Sequence, residues 1–134
     1  ATGFFEWQQR ADGKQPYRFV RRDLEPFAFA GLWEFARLNG EDIVSSAIIV
    51  GEANPLVAPV HDRMPVILLP EDYDRWLDGE ETPDALRALL RPFDPALMKA
   101  YEVSRVVNSV RNDVEECIRP LDEAPPPPQG SLGL

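Results

Sequence analysis

The sequence predicts an α+β fold, a mainly antiparallel, curved sheet with helices packed outside it, and three observations carry that prediction. The dipeptides Asp12-Gly13 and Asn39-Gly40 each lie between apolar, strand-like runs, the position of a hairpin turn. Those runs crowd into the first half of the chain. Helix signals come only after Pro70: a proline opens one stretch, Gly79 stands just past its end, and Thr82-Pro83 opens a second.

In chain order, Phe4 to Gln8 and Tyr17 to Arg21 read as a first hairpin around Arg10-Ala11-Asp12-Gly13. Phe27 to Trp33 is a third strand, and Ile43 to Val50 a fourth, with Asn39-Gly40 as the turn between them. The short apolar run Val66 to Leu69 is a buried strand closed by Pro70. Helices are predicted over Pro70 to Leu77 and from the Thr82 cap through Leu90, with Leu86, Leu89 and Leu90 as a core-facing stripe. Asp94-Pro95 breaks the pattern and Lys99 to Val103 resumes as strand. Asn108 to Glu116 is compatible with a short helix or an irregular loop. From Asp122 to Leu134 the composition turns proline-rich, with four consecutive prolines at 125–128 that favour polyproline II. That tail reads as a solvated extension or as a ligand for a partner.

Bulk properties narrow the class. A chain of 134 residues predicts one domain with a core of its own. No apolar stretch approaches the roughly 20 residues of a spanning helix, so no membrane association is expected. The single cysteine, Cys117, excludes an internal disulfide and fits a reducing, cytoplasmic setting, where it reads as a small buried hydrophobe. One His and one Cys, far apart, supply no tetrahedral metal site, and there is no Gly-rich phosphate loop; neither a metal nor a cofactor is expected. The net charge of −9 argues against non-specific coating of nucleic acid, because affinity for phosphate comes from Lys and Arg. A local basic groove remains compatible with an acidic exterior.

Two runs carry chemistry. The only histidine, His61, lies in Val60-His61-Asp62-Arg63-Met64-Pro65, beside a carboxylate and a guanidinium at the mouth of a strand. An imidazole there suits proton transfer next to an anionic ligand. Near the start, Glu6 sits between aromatic residues in Gly3-Phe4-Phe5-Glu6-Trp7, where Gly3 permits an unusual backbone or a close approach. Apolar surroundings disfavour the carboxylate and lift its pKa toward the range useful for acid or base work. Strand alternation puts Phe4 and Glu6 on one face and Phe5 and Trp7 on the other.

Those two runs, in order with Lys14-Gln15-Pro16-Tyr17, Phe29-Ala30-Gly31-Leu32-Trp33-Glu34, and Val103-Ser104-Arg105-Val106-Val107-Asn108 with Asn112, resemble the SOS response-associated peptidase (SRAP) family. The likeness runs from about Ala1 to Leu121. It implies closure of the sheet into a small β-barrel. It also implies binding of single-stranded DNA and covalent trapping of abasic sites through an N-terminal cysteine that follows the initiator methionine. By motif match, Glu6 and His61 are the catalytic candidates, Glu6 for proton transfer and stabilisation of a cationic intermediate, His61 for opening the sugar ring. Arg63 would hold a phosphate, Trp7 would offer a stacking face, and Gly51 would contact DNA through its backbone N–H. No cofactor is implied, and a monomer is expected.

The departures are specific. The family opens on a Met-Cys-Gly-Arg-type start, whereas this chain opens on Ala1-Thr2. Cys117 does not match the family nucleophile. Residues 1–121 are therefore expected to be the C-terminal portion of the family's domain, inactive alone, and 122–134 a tail. A strand so truncated should leave part of the first strand's edge unpaired. Val50 stands where the family has a threonine able to reach the DNA backbone, and Phe5 where a tyrosine is common. The competing expectation is a non-catalytic module that engages protein partners through its acidic surface or proline-rich tail.

Overall fold

The computed structural model describes residues 1–122, so the proline-rich tail lies outside the described residues from Glu123 onward. Strands β1 (Phe4–Arg10) and β2 (Gly13–Arg21) form the predicted hairpin, with Gly13 at φ 118° in the turn. Strand β9 (Met98–Glu102) adds to the far side of β2, giving a three-stranded antiparallel sheet in the order β1-β2-β9. Phe4 stands directly opposite Phe19, and their rings stack at 5.1 Å. With Phe27, Val57, Met64, Ile67, Phe93 and Met98 they make the main core. Gly3 is required for close approach: a Cβ there would lie 2.8 Å from the Phe19 carbonyl oxygen and 3.0 Å from Val20 Cγ1.

Three further strand runs are each broken once. Strands β3 (Ala28–Phe29) and β4 (Gly31–Leu38) are separated by Ala30. Ile49 separates β5 (Glu41–Ile48) from β6 (Val50–Glu52), and Val66 separates β7 (Arg63–Pro65) from β8 (Ile67–Leu68). The three separators bond to one another in a ring. The Ala30 N–H donates to Val66 O at 2.8 Å, Val66 N–H to Ile49 O at 2.9 Å, and Ile49 N–H to Ala30 O at 2.9 Å. At this junction every run changes partner, so that β3 pairs β8, β4 pairs β5, and β6 pairs β7, all antiparallel. Two runs read as single strands in the sequence, Phe27 to Trp33 and Ile43 to Val50, are therefore divided, and the Val66 to Leu69 run is preceded by a strand the sequence did not predict, β7. No barrel closes among the described residues, which removes the barrel form of the expected fold and leaves its antiparallel α+β form.

A 3-10 turn over Pro70–Asp72 runs into helix α1 (Tyr73–Leu77), as the sequence predicts. Helix α2 (Pro83–Arg87) starts where expected, the Thr82 hydroxyl accepting from the Ala85 N–H at 3.2 Å, but ends three residues early, before Pro92. Leu89 is buried with Ala30, Val66 and Leu68 in a second cluster, flanked by Leu86 and Leu90. The segment after β9 is irregular rather than helical, with 3-10 turns at Arg105–Asn108 and Glu115–Cys117. Cys117 is buried, as a small hydrophobe would be. No helix among the described residues is long and apolar enough to cross a membrane.

Among the described residues, β1 lies at the edge of its sheet. Only Ala1, before the strand, exchanges backbone hydrogen bonds with Phe27, at 2.8 and 2.9 Å.

Candidate functional site

Strand alternation decides where Glu6 goes. It follows Phe4 on the core-facing side of β1, one step further out, and pairs with Tyr17, which in turn pairs with Glu102. The core thus grades from Phe4 and Phe19 into a half-buried carboxylate. Phe5 and Trp7 share the opposite side, their rings 6.4 Å apart.

The loop that carries His61 is held from inside the molecule. Asn54 is 2% exposed and fully engaged. Its side-chain amide donates to Phe93 O at 2.7 Å, and its oxygen accepts from the Leu56 and Val57 N–H groups at 3.1 and 3.0 Å. Val57 O in turn accepts from the His61 N–H at 3.0 Å, and Gln8 of β1 donates to Pro59 O at 3.0 Å. These bonds lay residues 53–62 against β1.

The result brings Glu6 within electrostatic range of His61, Asp62 and Arg63, although 55 positions separate Glu6 from His61 (61 − 6). Burial pushes the Glu6 carboxyl above its ordinary value of 4.5; the charges of His61 and Arg63 pull it partly back, and Asp62 adds to the rise. The His61 ring is held through its Nδ1. Its Nδ1 lies 3.1 Å from both the N–H and the carbonyl oxygen of Arg63, and 3.3 Å from Asp62 Oδ1. A bare Nδ1 accepts from the Arg63 N–H; a protonated one donates to the Arg63 carbonyl or pairs with Asp62.

The Arg63 side chain is 66% exposed, with Asp62 at 4.0 Å as its acidic neighbour. It stands opposite Glu52 on the β6–β7 ladder, one register step from the Gly51–Met64 pair. Trp7 is fixed by a residue that the sequence reading quoted but gave no role: its indole N–H donates to Asn108 Oδ1 at 2.7 Å. Asn108 is itself held by the segment that clasps the first hairpin. Gln15 donates to Val103 O at 3.0 Å, Arg105 pairs with Asp12 at 2.7 Å, and Asn112 donates to Val106 O at 2.7 Å. The motif around Lys14-Gln15-Pro16-Tyr17 and the one around Val103 to Asn108 therefore meet in space. Spacing alone does not reveal that pairing, since 101 positions separate Trp7 from Asn108.

A second polar cluster was not legible in the sequence. Arg10 bonds both Glu102 and the Tyr17 hydroxyl, and that hydroxyl donates to Glu102 at 2.9 Å. It ties β1 to β9 across β2, and its hydrogen bond from Arg10 holds the Glu102 carboxyl below the usual value. A concavity of about 160 Å³ lies elsewhere, lined by Ile67, Leu69, Asp72, Leu89, Arg91 and Phe93, and none of the candidate residues lines it. Among the described residues no group of three His, Cys, Asp or Glu side chains is placed to hold a metal ion.

Fold and site together describe an antiparallel α+β domain with a half-buried acid in electrostatic range of an imidazole and an exposed guanidinium, and a tethered tryptophan on the other side of the acid's strand. The SOS response associated peptidase (SRAP) family model matches residues 1–110, and the chain belongs to that family. It is 42% identical over 122 residues to the abasic site processing protein YoqW of Bacillus subtilis, a match covering 88% of this chain and 54% of the relative. To the chicken abasic site processing protein HMCES it is 36% identical, covering 91% of this chain and 42% of the relative. A crystal structure of a protein from Bacteroides thetaiotaomicron superposes with a TM-score of 0.79 at 31% identity, covering 90% of this chain and 55% of that one. The chain spans about half the length of the relatives it matches.

Proposed function

We propose that this chain supplies the acid–base and phosphate-binding half of an abasic-site crosslinking protein acting on single-stranded DNA, in a cytoplasmic, nucleoid-associated setting. In this reading residues 1–121 are the C-terminal portion of the family's domain and 122–134 its tail. The observation that carries it is the half-buried Glu6 carboxyl, raised by burial and within electrostatic range of His61 and Arg63, with the loop of His61 tied to β1 through Gln8 and Pro59.

The chemistry follows from the family resemblance. The ring-opened abasic sugar presents an aldehyde. The α-amine of an N-terminal cysteine adds to that carbon, and the resulting carbinolamine loses water to give an iminium. The cysteine thiol then adds to the iminium carbon and gives up its proton, closing a thiazolidine. Ring opening needs a proton moved between the sugar hydroxyl and ring oxygen, which is the role of His61. Loss of water needs an acid, and the cationic iminium needs a nearby carboxylate; Glu6, with its raised pKa, serves as both in turn. Arg63 grips a backbone phosphate through its planar guanidinium. Trp7, held by Asn108, stacks on a base, and the Gly51 N–H adds a backbone contact. The same carboxylate would serve removal of the initiator methionine, the peptidase activity of the family's name. No cofactor takes part.

The test is adduct formation with an abasic single-stranded oligonucleotide, read on denaturing gels. Residues 1–134 alone should form none, since Cys117 is buried and its amine is not at a chain terminus. A form carrying the family's Met-Cys start should form one that requires that cysteine. An adduct formed by residues 1–134 and lost in Cys117→Ser would overturn the assignment.

A further inference from the structure

Strand alternation puts two more polar side chains of β1, Gln8 and Arg10, on the same side as Glu6. Gln8 is half-buried, and its side-chain amide is engaged at both ends. Its Oε1 accepts from the Arg10 Nε–H at 2.9 Å, and its Nε2 donates to Pro59 O at 3.0 Å. Arg10 is fixed in turn by the Glu102 carboxylate and, at 2.7 Å, by the Tyr17 hydroxyl. A guanidinium donates and never accepts, so it admits only the oxygen end of the amide. The Gln8 amide is therefore turned with its NH2 toward the loop, and the cation beside it strengthens that donor.

Among the described residues, the bond from Gln8 to Pro59 is the only hydrogen bond between β1 and residues 53–62. Pro59 lies two positions before His61, inside the turn that the Val60 and His61 N–H groups close on Val57 O at 2.8 and 3.0 Å. Asn54 ties the start of this loop to the core through Phe93, whereas Gln8 ties its far end to the strand that carries Glu6. We propose that Gln8 is a positioning residue for His61, and that the Arg10–Tyr17–Glu102 cluster acts on the site through it. The proposal rests on the reading of His61 as the proton-transfer group. Its physical basis is that misplacing a reacting group by about 1 Å can cost on the order of 10²-fold in rate. Affinity for DNA does not depend on this bond, because Arg63 is held by the β6–β7 ladder and Trp7 by Asn108.

The experiment uses the protein carrying the family's Met-Cys start. Gln8→Met should slow single-turnover crosslinking at saturating abasic single-stranded DNA by roughly 10- to 100-fold. Affinity for an oligonucleotide holding a tetrahydrofuran analogue, which has no aldehyde to trap, should stay at the parent value. Amide exchange at Val60 and His61 should quicken about three- to tenfold, the worth of one hydrogen bond, with β2 unchanged. In a His61→Ala background, adding Gln8→Met should change the rate by less than about twofold, since both act on one step. Arg10→Met should slow the reaction too, and combining it with Gln8→Met should give no further loss. Should Gln8→Met fail to fold, Gln8→Glu serves instead: its carboxylate still accepts from Arg10 but cannot donate to Pro59, and the same slowing is expected. A parental rate or parental exchange at His61 in the Gln8 variant, with His61→Ala slowed, would overturn this inference and leave His61 in its role. A full loss from Gln8→Met on top of His61→Ala would overturn it as well, making Gln8 a general support of the fold. A parental rate in His61→Ala would overturn both readings.

Discussion

Glu6 shows how one side chain inherits its chemistry from a strand's period. Two residues beyond a stacked phenylalanine on the core-facing side, it is too buried to ionise freely and too far out to be sealed off. Folding lifts its pKa, so the native chain holds the proton to higher pH than the unfolded chain does. Stability is therefore lost as pH rises from 4.5 through the folded value, and the ionised carboxylate burdens the fold at neutral pH. Glu6→Gln should raise the melting temperature at pH 7, and thermal melts across pH should show the gain vanish below 4.5. A gain that persisted at pH 3 would mean that the carboxyl is not buried as described. Asn54 acts the other way. Its replacement by alanine leaves the Phe93 carbonyl and the Leu56 amide without their partner, at about 1–3 kcal/mol per unsatisfied buried group, while the Val57 N–H keeps its bond to the backbone carbonyl of residue 54. Denaturant titration should show that loss. The site was legible in part at this scale: the aromatic neighbours of Glu6 announce an apolar setting, and the acid and base beside His61 announce proton chemistry. Asn54 was not legible, because a buried, fully bonded asparagine leaves no periodic mark; the role of the exposed Asn108 was not legible because its partner Trp7 lies 101 positions away.

The three-way junction dominates at the scale of elements. Ala30 is fully buried there, with Val66 and Leu68 around it, while its backbone closes the hydrogen-bond ring. Ala30→Leu forces extra methylenes into a packed site where the backbone cannot shift without breaking that ring. A destabilisation of about 1–3 kcal/mol is expected from denaturant midpoints, and an unchanged midpoint would show that the junction is loose. The sequence predicts the two hairpin turns and both helix starts, because Asp-Gly, Asn-Gly and Thr-Pro act locally. It does not reveal that the runs through Ala30, Ile49 and Val66 change partners, since that depends on contacts between segments far apart in the chain. The apolar residues of 31–48 read as strand and form one, yet they lie exposed, because a hydrophobic pattern reports local conformation more directly than burial. Helix α2 ends early where tertiary packing of Leu89 replaces another helical turn.

For the whole molecule, a net charge of −9 has to be compatible with the proposed DNA target. Acids crowd the helical region, at Glu71, Asp74, Asp78, Glu80 and Asp84, whereas Arg63 stands out from the β6–β7 ladder beside His61. Binding then rests on few phosphate contacts plus stacking, and its salt dependence should be shallow. That division of labour, with one residue moving protons and its neighbour holding phosphate, is the central claim. It is tested most directly by separating rate from affinity in the protein carrying the family's Met-Cys start. Single-turnover crosslinking to abasic single-stranded DNA gives the rate, and a salt titration of equilibrium binding to an uncleaved analogue gives the affinity. His61→Ala should slow crosslinking by about 10²–10⁴-fold with affinity unchanged. Arg63→Ala should weaken binding and lower the salt slope by about one unit, with the saturated rate little altered. An Arg63 variant that binds normally, or a His61 variant that crosslinks at the parent rate, would contradict the assignment.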